Sequence, residues 1–249
     1  MGYSPRLDHL TVMLNLKTIK AITLDLDNTL WPVWPAIERA EKALENWLSQ
    51  RAPMATALFA NPKARQDLRE QVAKARPELR HNLSAIRREA IRMALEHSHE
   101  DPLLADPAFD VFFEERNRVV MFEDAILALE FLSKRFPIVA LSNGNADINR
   151  IGIAKYFQAS ISAQAFGSGK PDAPIFHAAA GVVGLRPADV LHVGDDPMLD
   201  VLGGLNAGMQ TAWLNRACNI WKHDDKPHLT VENLTQLCDY LSANEEKTV

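Results

Sequence analysis

Apolar and polar positions follow two different rhythms along this chain. Ile19 to Leu26 is a nearly continuous apolar and β-branched run, which predicts a buried strand. Helical spacing takes over after it. Pro35 to Leu48 places Ile37, Ala40, Leu44, Trp47 and Leu48 on one face. Asn61-Pro62 opens a second helix that Pro77 stops after Arg76, because proline lacks the amide that a helix interior needs. Ser84 opens a third through His97, and Asp106-Pro107 a fourth through Asn117. From Val119 onward strands and helices alternate. The strands are Ile138 to Leu141, Ile161 to Ala163, Val190 to Val193 and Gln210 to Leu214, and the helix Glu123 to Lys134 precedes the first of them. Such alternation predicts an α/β domain, a parallel sheet covered by helices on both faces. The strand at 19–26 belongs to that sheet, so residues 18–31 and 119–249 form one domain. Residues 32–118 form an all-helical second domain inserted into it, and residues 1–17 form an N-terminal extension. There is no internal repeat.

Composition narrows the classes. Hydrophobic residues make up 47% and charged ones 24%, ordinary for a globular protein. A net charge of -5 gives no basic track for a nucleic-acid backbone, so no nucleic-acid partner is expected. The longest apolar runs fall short of the roughly 18 residues a membrane helix needs. Arg6, Asp8 and His9 break up the first residues, so they do not read as an export signal. Cys218 and Cys238 form neither a disulfide framework nor a metal-site spacing. These features predict a cytoplasmic protein, monomeric or homodimeric, that stays off membranes.

The chemistry gathers where ligands bind in open parallel sheets, just past the carboxyl ends of strands. Asp25-Leu26-Asp27-Asn28-Thr29 closes the first strand. Its two aspartates are two residues apart, so on extended chain they face the same side and need a cation or a shared proton. Ser142-Asn143-Gly144 follows the second strand and offers a hydroxyl beside free backbone amides, although a plain turn has the same composition. Gly167-Ser168-Gly169-Lys170 puts a lysine in a glycine-rich loop before a helix, a spacing unlike the Walker loop. Gly194-Asp195-Asp196-Pro197-Met198-Leu199-Asp200 follows the fourth strand with three carboxylates and no basic neighbour, which suits a hard divalent cation. Asp196 also has the place of a helix cap.

This ordered set resembles the haloacid dehalogenase superfamily, over residues 19–241. Its DxDxT motif appears as Asp25, Asp27 and Thr29, its hydroxyl as Ser142, its lysine as Lys170 and its acidic motif as Asp195 through Asp200. The resemblance implies a Rossmann-like core with a helical cap, and a phosphatase that uses magnesium on a small phosphorylated metabolite. Asp25 would be the nucleophile and Asp27 the acid and base. Ser142, Asn143, Lys170 and Thr29 would bind phosphate, and Asp25, Asp27, Asp195 and Asp200 would serve the metal. Dehalogenases of this superfamily lack an aspartate two residues after the nucleophile, because halide leaves without a proton. Asp27 therefore argues against the alternative of carbon–halogen hydrolysis, and the intact motif set against a silent scaffold. The stretch Pro77 to Arg88 is similar to the cap of bacterial phosphatases that act on flavin precursors or flavin mononucleotide. That makes His81, Arg87 and Arg88 the candidates for substrate selectivity. Trp31 and Trp34, beside the junction of the two domains, read as packing residues.

Overall fold

The computed structural model describes residues 13–245. Six strands form one parallel sheet: β1 (Ala21–Leu24), β2 (Ile138–Ser142), β3 (Ala159–Ser162), β4 (Val190–Gly194), β5 (Gln210–Leu214) and β6 (Leu229–Val231). Their order is β3-β2-β1-β4-β5-β6. Every residue of β1, β2, β4 and β5 is buried, which is why these strands read as unbroken apolar runs rather than alternating ones. Alternation persists in where the side chains go. Ile22, Leu24, Ile138 and Ala140 enter one apolar cluster, whereas Ala21, Val139 and Leu141 enter another on the opposite face.

Between β1 and β2 the chain leaves to build a helical insertion, in the place of the cap expected from the sequence, from α1 (Val33–Arg51), α2 (Pro53–Ala60), α3 (Pro62–Ala75), α4 (Leu83–His97) and α5 (Ala105–Arg116). These helices enclose an apolar cluster of their own, including Leu44, Leu48, Phe59, Leu68, Ile91, Leu95 and Phe112. The remaining helices flank the sheet. They are α6 (Ala125–Ser133), the short turns α7 (Ile148–Ile151) and α8 (Ala163–Phe166), α9 (Ala173–Val182), α10 (Gly203–Asn206) and α11 (Leu234–Glu245). The outgoing and returning chains are tied together where they cross, by Phe122 N–H donating to the Leu30 carbonyl at 2.9 Å.

The fold class agrees with the sequence expectation, and several boundaries are corrected. A fifth cap helix, α2, was not expected: Pro53-Met-Ala-Thr-Ala-Leu-Phe-Ala has too few polar positions to show a helical period. The short edge strand β6 was also missed, since three residues carry no periodic signal. β3 begins two residues earlier than expected, at Ala159, and α1 begins at Val33 rather than Pro35. Trp31 is fully buried, as a packing residue should be, but Trp34 is 69% exposed. Helix α1 presents residue 34 to solvent, one position off the face that carries Ala36, Ala40, Leu44 and Leu48. Residues 1–12 of the expected extension lie outside the described residues. The part described packs on the core, with Leu14 buried and Asn15 N–H donating to Gln210 Oε1 at 2.6 Å.

Candidate active site

The strand order reverses between β1 and β4, which opens a crevice beyond their carboxyl ends. A pocket of about 220 Å³ lies there. Asp25, Asp27, Ser142, Lys170, Asp195 and Asp200 all line it, arriving from the ends of β1, β2 and β4 and from the loop before α9. β1 sets the position of Asp25, whose N–H continues the ladder by donating to Val193 O at 2.9 Å.

Lys170 is the hub. Its side chain is 2% exposed, and Nζ donates to Asp25 Oδ1 at 2.5 Å and to Asp200 Oδ1 at 2.6 Å. Burial works against its charge, but Asp200 and Asp25 outweigh that and hold its pKa above the usual lysine value. Asn143 fixes the loop. Its side-chain amide donates to Lys170 O at 2.8 Å while its Oδ1 accepts from Lys170 N–H at 2.7 Å. The Asn143 side chain thus orients Lys170, and the residue also lines the pocket. Thr29, fully buried, donates to Asp25 Oδ2 at 3.1 Å and lies 3.5 Å from Asp195 Oδ1. It links the carboxylates and is absent from the pocket wall. Ser142 does reach the wall, and its Oγ accepts from Gly144 N–H at 2.9 Å.

Below the pocket a buried chain of polar groups supports Asp200. His192 Nε2 lies 3.1 Å from Asp200 Oδ1, and its Nδ1 lies 2.8 Å from Thr23 Oγ1. Burial lowers the His192 pKa, and in the neutral ring Nε2–H donates to the carboxylate while Nδ1 accepts from the threonine. The other oxygen of Asp200 accepts from Asp196 N–H at 2.9 Å. Asp196 caps the wide turn Pro197–Leu202, accepting from Met198 N–H and Leu199 N–H at 2.8 Å each. Gly194 has to be glycine here, because a Cβ would lie 2.2 Å from Asp200 Cγ.

Three carboxylates, from Asp25, Asp195 and Asp200, place oxygen atoms within 4.8 Å of one another. Lys170 supplies one positive charge against them. Burial, with repulsion from Asp200 and Asp195 overcoming the help of Lys170, pushes Asp25 up to about 8. Burial and Asp200 push Asp195 up to about 7. Asp200 alone is driven below the usual carboxylate range, since Lys170 and His192 outweigh the cost of its burial. The result is a crowded, all-oxygen donor set with more acidic groups than its one lysine balances, and it fits a hard divalent cation. Both oxygens of Asp200 are engaged by protein donors. Both oxygens of Asp25 are engaged as well, by Lys170 and Thr29, whereas Asp195 has Thr29 at 3.5 Å from one oxygen, so Asp195 is the carboxylate whose oxygens are least taken up by the protein.

Asp27 is held separately. One guanidinium nitrogen of Arg116, Nη2, lies 2.7 Å from each of its oxygens, and Trp31 Nε1 donates to Oδ1 at 2.8 Å. Arg116 was not among the sequence candidates. It lies at the far end of the cap, 89 residues from Asp27, where only the tertiary fold makes them neighbours.

The cap candidates sit elsewhere. Arg87 donates to Glu41 Oε1 at 2.5 Å, and its guanidinium covers the Phe112 ring at 3.7 Å. Arg88 pairs with Asp106 at 2.9 Å and lies over Phe109. His81 Nε2 accepts from Arg80 Nε–H at 2.8 Å. None of the three lines the pocket, whose only cap residue is Leu83, 48% exposed. Arg87 and Arg88 lie further along α4, over Phe112 and Phe109, whereas Leu83 at the start of that helix reaches the pocket. Ser84, one residue on, accepts from the Asn145 side-chain amide at 3.2 Å.

Residues 19–208 match the haloacid dehalogenase-like hydrolase family model. The chain belongs to the haloacid dehalogenase-like hydrolases. It is 31% identical over 230 residues to the 5-amino-6-(5-phospho-D-ribitylamino)uracil phosphatase YigB of Escherichia coli, covering 89% of this chain and 96% of that one. It is also 30% identical over 157 residues to the phosphoserine phosphatase of Thermus thermophilus, covering 61% and 63%. Among solved structures, a 2-haloacid dehalogenase from Pseudomonas syringae pv. Tomato superposes with a TM-score of 0.85 at 37% identity, over 90% of this chain and 99% of that one. The chain is thus a hydrolase of this family, and no helix among its described residues is long and apolar enough to cross a membrane.

Proposed function

We infer that the protein is a magnesium-dependent phosphatase acting on a small phosphorylated metabolite. The observation that carries this reading is the pairing of two differently held aspartates at one strand end. Asp25 lies against Lys170 inside the carboxylate cluster, whereas Asp27 is turned to Arg116 and Trp31, outside it. One can act on phosphorus while the other handles protons. Phosphate monoesters are among the least reactive biological esters in water, so capture on a carboxylate divides a hard step into two easier ones.

In this mechanism Asp25 attacks phosphorus and becomes an aspartyl-phosphate. Asp27 protonates the departing alcohol oxygen and then takes a proton from the water that hydrolyses the acyl phosphate. Such proton transfer is worth roughly two to four decades in rate. Lys170 offsets charge on the transferring group, and the Ser142 hydroxyl donates to one of its oxygens. Asp25, Asp195 and the Asp27 backbone carbonyl, with Asp200 in support, would hold magnesium, whose charge would let an anionic ester approach anionic carboxylates.

The identity with YigB over nearly the whole chain makes a phosphorylated ribityl-aminopyrimidine the first substrate to try. The dehalogenase structure favours a second reading, hydrolysis of a carbon–halogen bond. Asp27 weighs against it, since departure of halide calls for no acid. Phosphate release from a metabolite panel, with and without magnesium and beside a 2-haloacid control, separates the two. Magnesium-dependent release lost in Asp25→Asn supports the phosphatase; halide release alone supports the dehalogenase. The two free cysteines and the absence of a membrane helix among the described residues agree with a cytoplasmic setting.

A further inference from the structure

Both passages of the chain between core and cap end on the same carboxylate. Trp31, on the outgoing passage, is fully buried and donates to Asp27 Oδ1 at 2.8 Å. Arg116, in the last turn of α5 on the returning passage, reaches both Asp27 oxygens at 2.7 Å. Its side chain is 1% exposed. Among the described residues its Nε and Nη1 have no hydrogen-bond partner. A buried guanidinium left with unpaired donors is costly, so the fold tolerates it for its one ionic contact. Asp27 Oδ2 is aimed at the turn after β2. A Cβ on Gly144 would lie 2.4 Å from that oxygen and 3.2 Å from Ser142 Oγ, so glycine is required for the approach.

We propose that Arg116 is a positioning residue that sets the orientation of the Asp27 carboxyl for proton transfer to the leaving oxygen, and that it couples this orientation to the seating of the cap. The proposal rests on the phosphatase reading. With Trp31 and Arg116 on opposite passages, Asp27 is aligned only when both are in register. The tie between Phe122 N and Leu30 O keeps the passages together beside it. Removing Arg116 leaves Asp27 held by Trp31 alone, and the part of the loss that depends on the leaving group falls on the step in which the bond to the leaving oxygen breaks. Asp25, Lys170 and the carboxylate cluster are untouched.

The test uses leaving groups of different basicity. Wild type, Arg116→Gln and Arg116→Lys are assayed with magnesium on p-nitrophenyl phosphate, whose phenolate departs without a proton, and on an alkyl phosphate, whose alkoxide does not. The expected result for Arg116→Gln is a loss of about 100-fold in kcat/KM on the alkyl ester, the lower end for general acid catalysis. That ratio reads the steps through departure of the leaving group and leaves out the hydrolysis that both esters share. On the aryl ester the loss stays within a few-fold. The pH profile for the alkyl ester changes, and Arg116→Lys recovers part of the rate. Equal losses on both esters, with an unchanged pH profile, assign Arg116 a merely structural role and overturn the proposal. If Arg116→Gln fails to fold, the same split is read from Arg116→Lys, which keeps the charge but not the planar fork. No release by wild type from either ester defeats the phosphatase reading and this inference together.

Discussion

Two buried ionic clusters occupy the two halves of this molecule, and they are unbalanced in opposite directions. In the core, Lys170 faces Asp25, Asp195 and Asp200. In the cap, Glu41 faces Arg65, Arg69 and Arg87. The core cluster opens on a pocket, and two of its three acids, Asp25 and Asp195, are pushed towards neutrality. The cap cluster instead ties α1 to α3 and α4, with Arg87 capping an aromatic ring and its own basicity reduced to about 10 by burial. Charge crowding alone therefore does not mark a catalytic centre. What separates the two is where the fold puts them: one lies at the carboxyl ends of parallel strands, the other between helix flanks.

That contrast can be broken most sharply at Asp25. The Asp25→Asn variant is expected to lose about a thousandfold or more in phosphate release, as removal of a covalent nucleophile does. Its thermal midpoint without metal should nevertheless rise, because one of three crowded carboxylates is gone. A fall in midpoint would show that the cluster is a stabilising network and would weaken the comparison.

The mirror experiment is Glu41→Gln. It leaves three arginines around a neutral amide and should cost about 3 kcal/mol in urea denaturation. Turnover per folded molecule should stay within twofold, so an equal loss of turnover would place the cap cluster in the catalytic machinery.

A smaller effect is expected from pH and magnesium. Folded-state pKa values of about 8 for Asp25 and about 7 for Asp195 lie above the unfolded carboxylate value. At these two groups the folded state thus holds protons that the unfolded chain releases. Without metal the contribution of Asp25 and Asp195 to stability is full below about pH 4 and declines as pH rises through 7 to 8, while that of Asp200 runs the other way and is lost at low pH. Magnesium at about a hundredfold over its dissociation constant adds about 2.7 kcal/mol. Its midpoint shift should be larger at pH 8 than at pH 5, where protons compete for the same oxygens. An equal shift at both values would remove these two carboxylates from the metal site.

The mildest test concerns selectivity. Leu83→Ala should change KM among substrates a few-fold, since it trims the one cap side chain in the pocket wall. Arg88→Ala should leave that ranking as it is.

The chain's own order determined the fold class, the helical insertion after β1 and the strand-end positions of Asp25, Asp27, Ser142, Lys170, Asp195 and Asp200. It could do so because period and adjacency to strand ends are local properties. Contacts between distant positions and the phase of a helix face are different. Nothing local distinguishes Arg87 or Arg88 from an arginine facing the site, and nothing links Arg116 to Asp27 across 89 residues. Asn143 reads as part of an anion-binding turn, and only the fold shows its side chain holding Lys170; His192 reads as one more strand residue until Asp200 is folded over it. Which oxygens of the carboxylate cluster remain free was likewise decided by the tertiary structure. A hydrogen bond occupies a particular lone pair, and only packing in three dimensions brings its donor within reach.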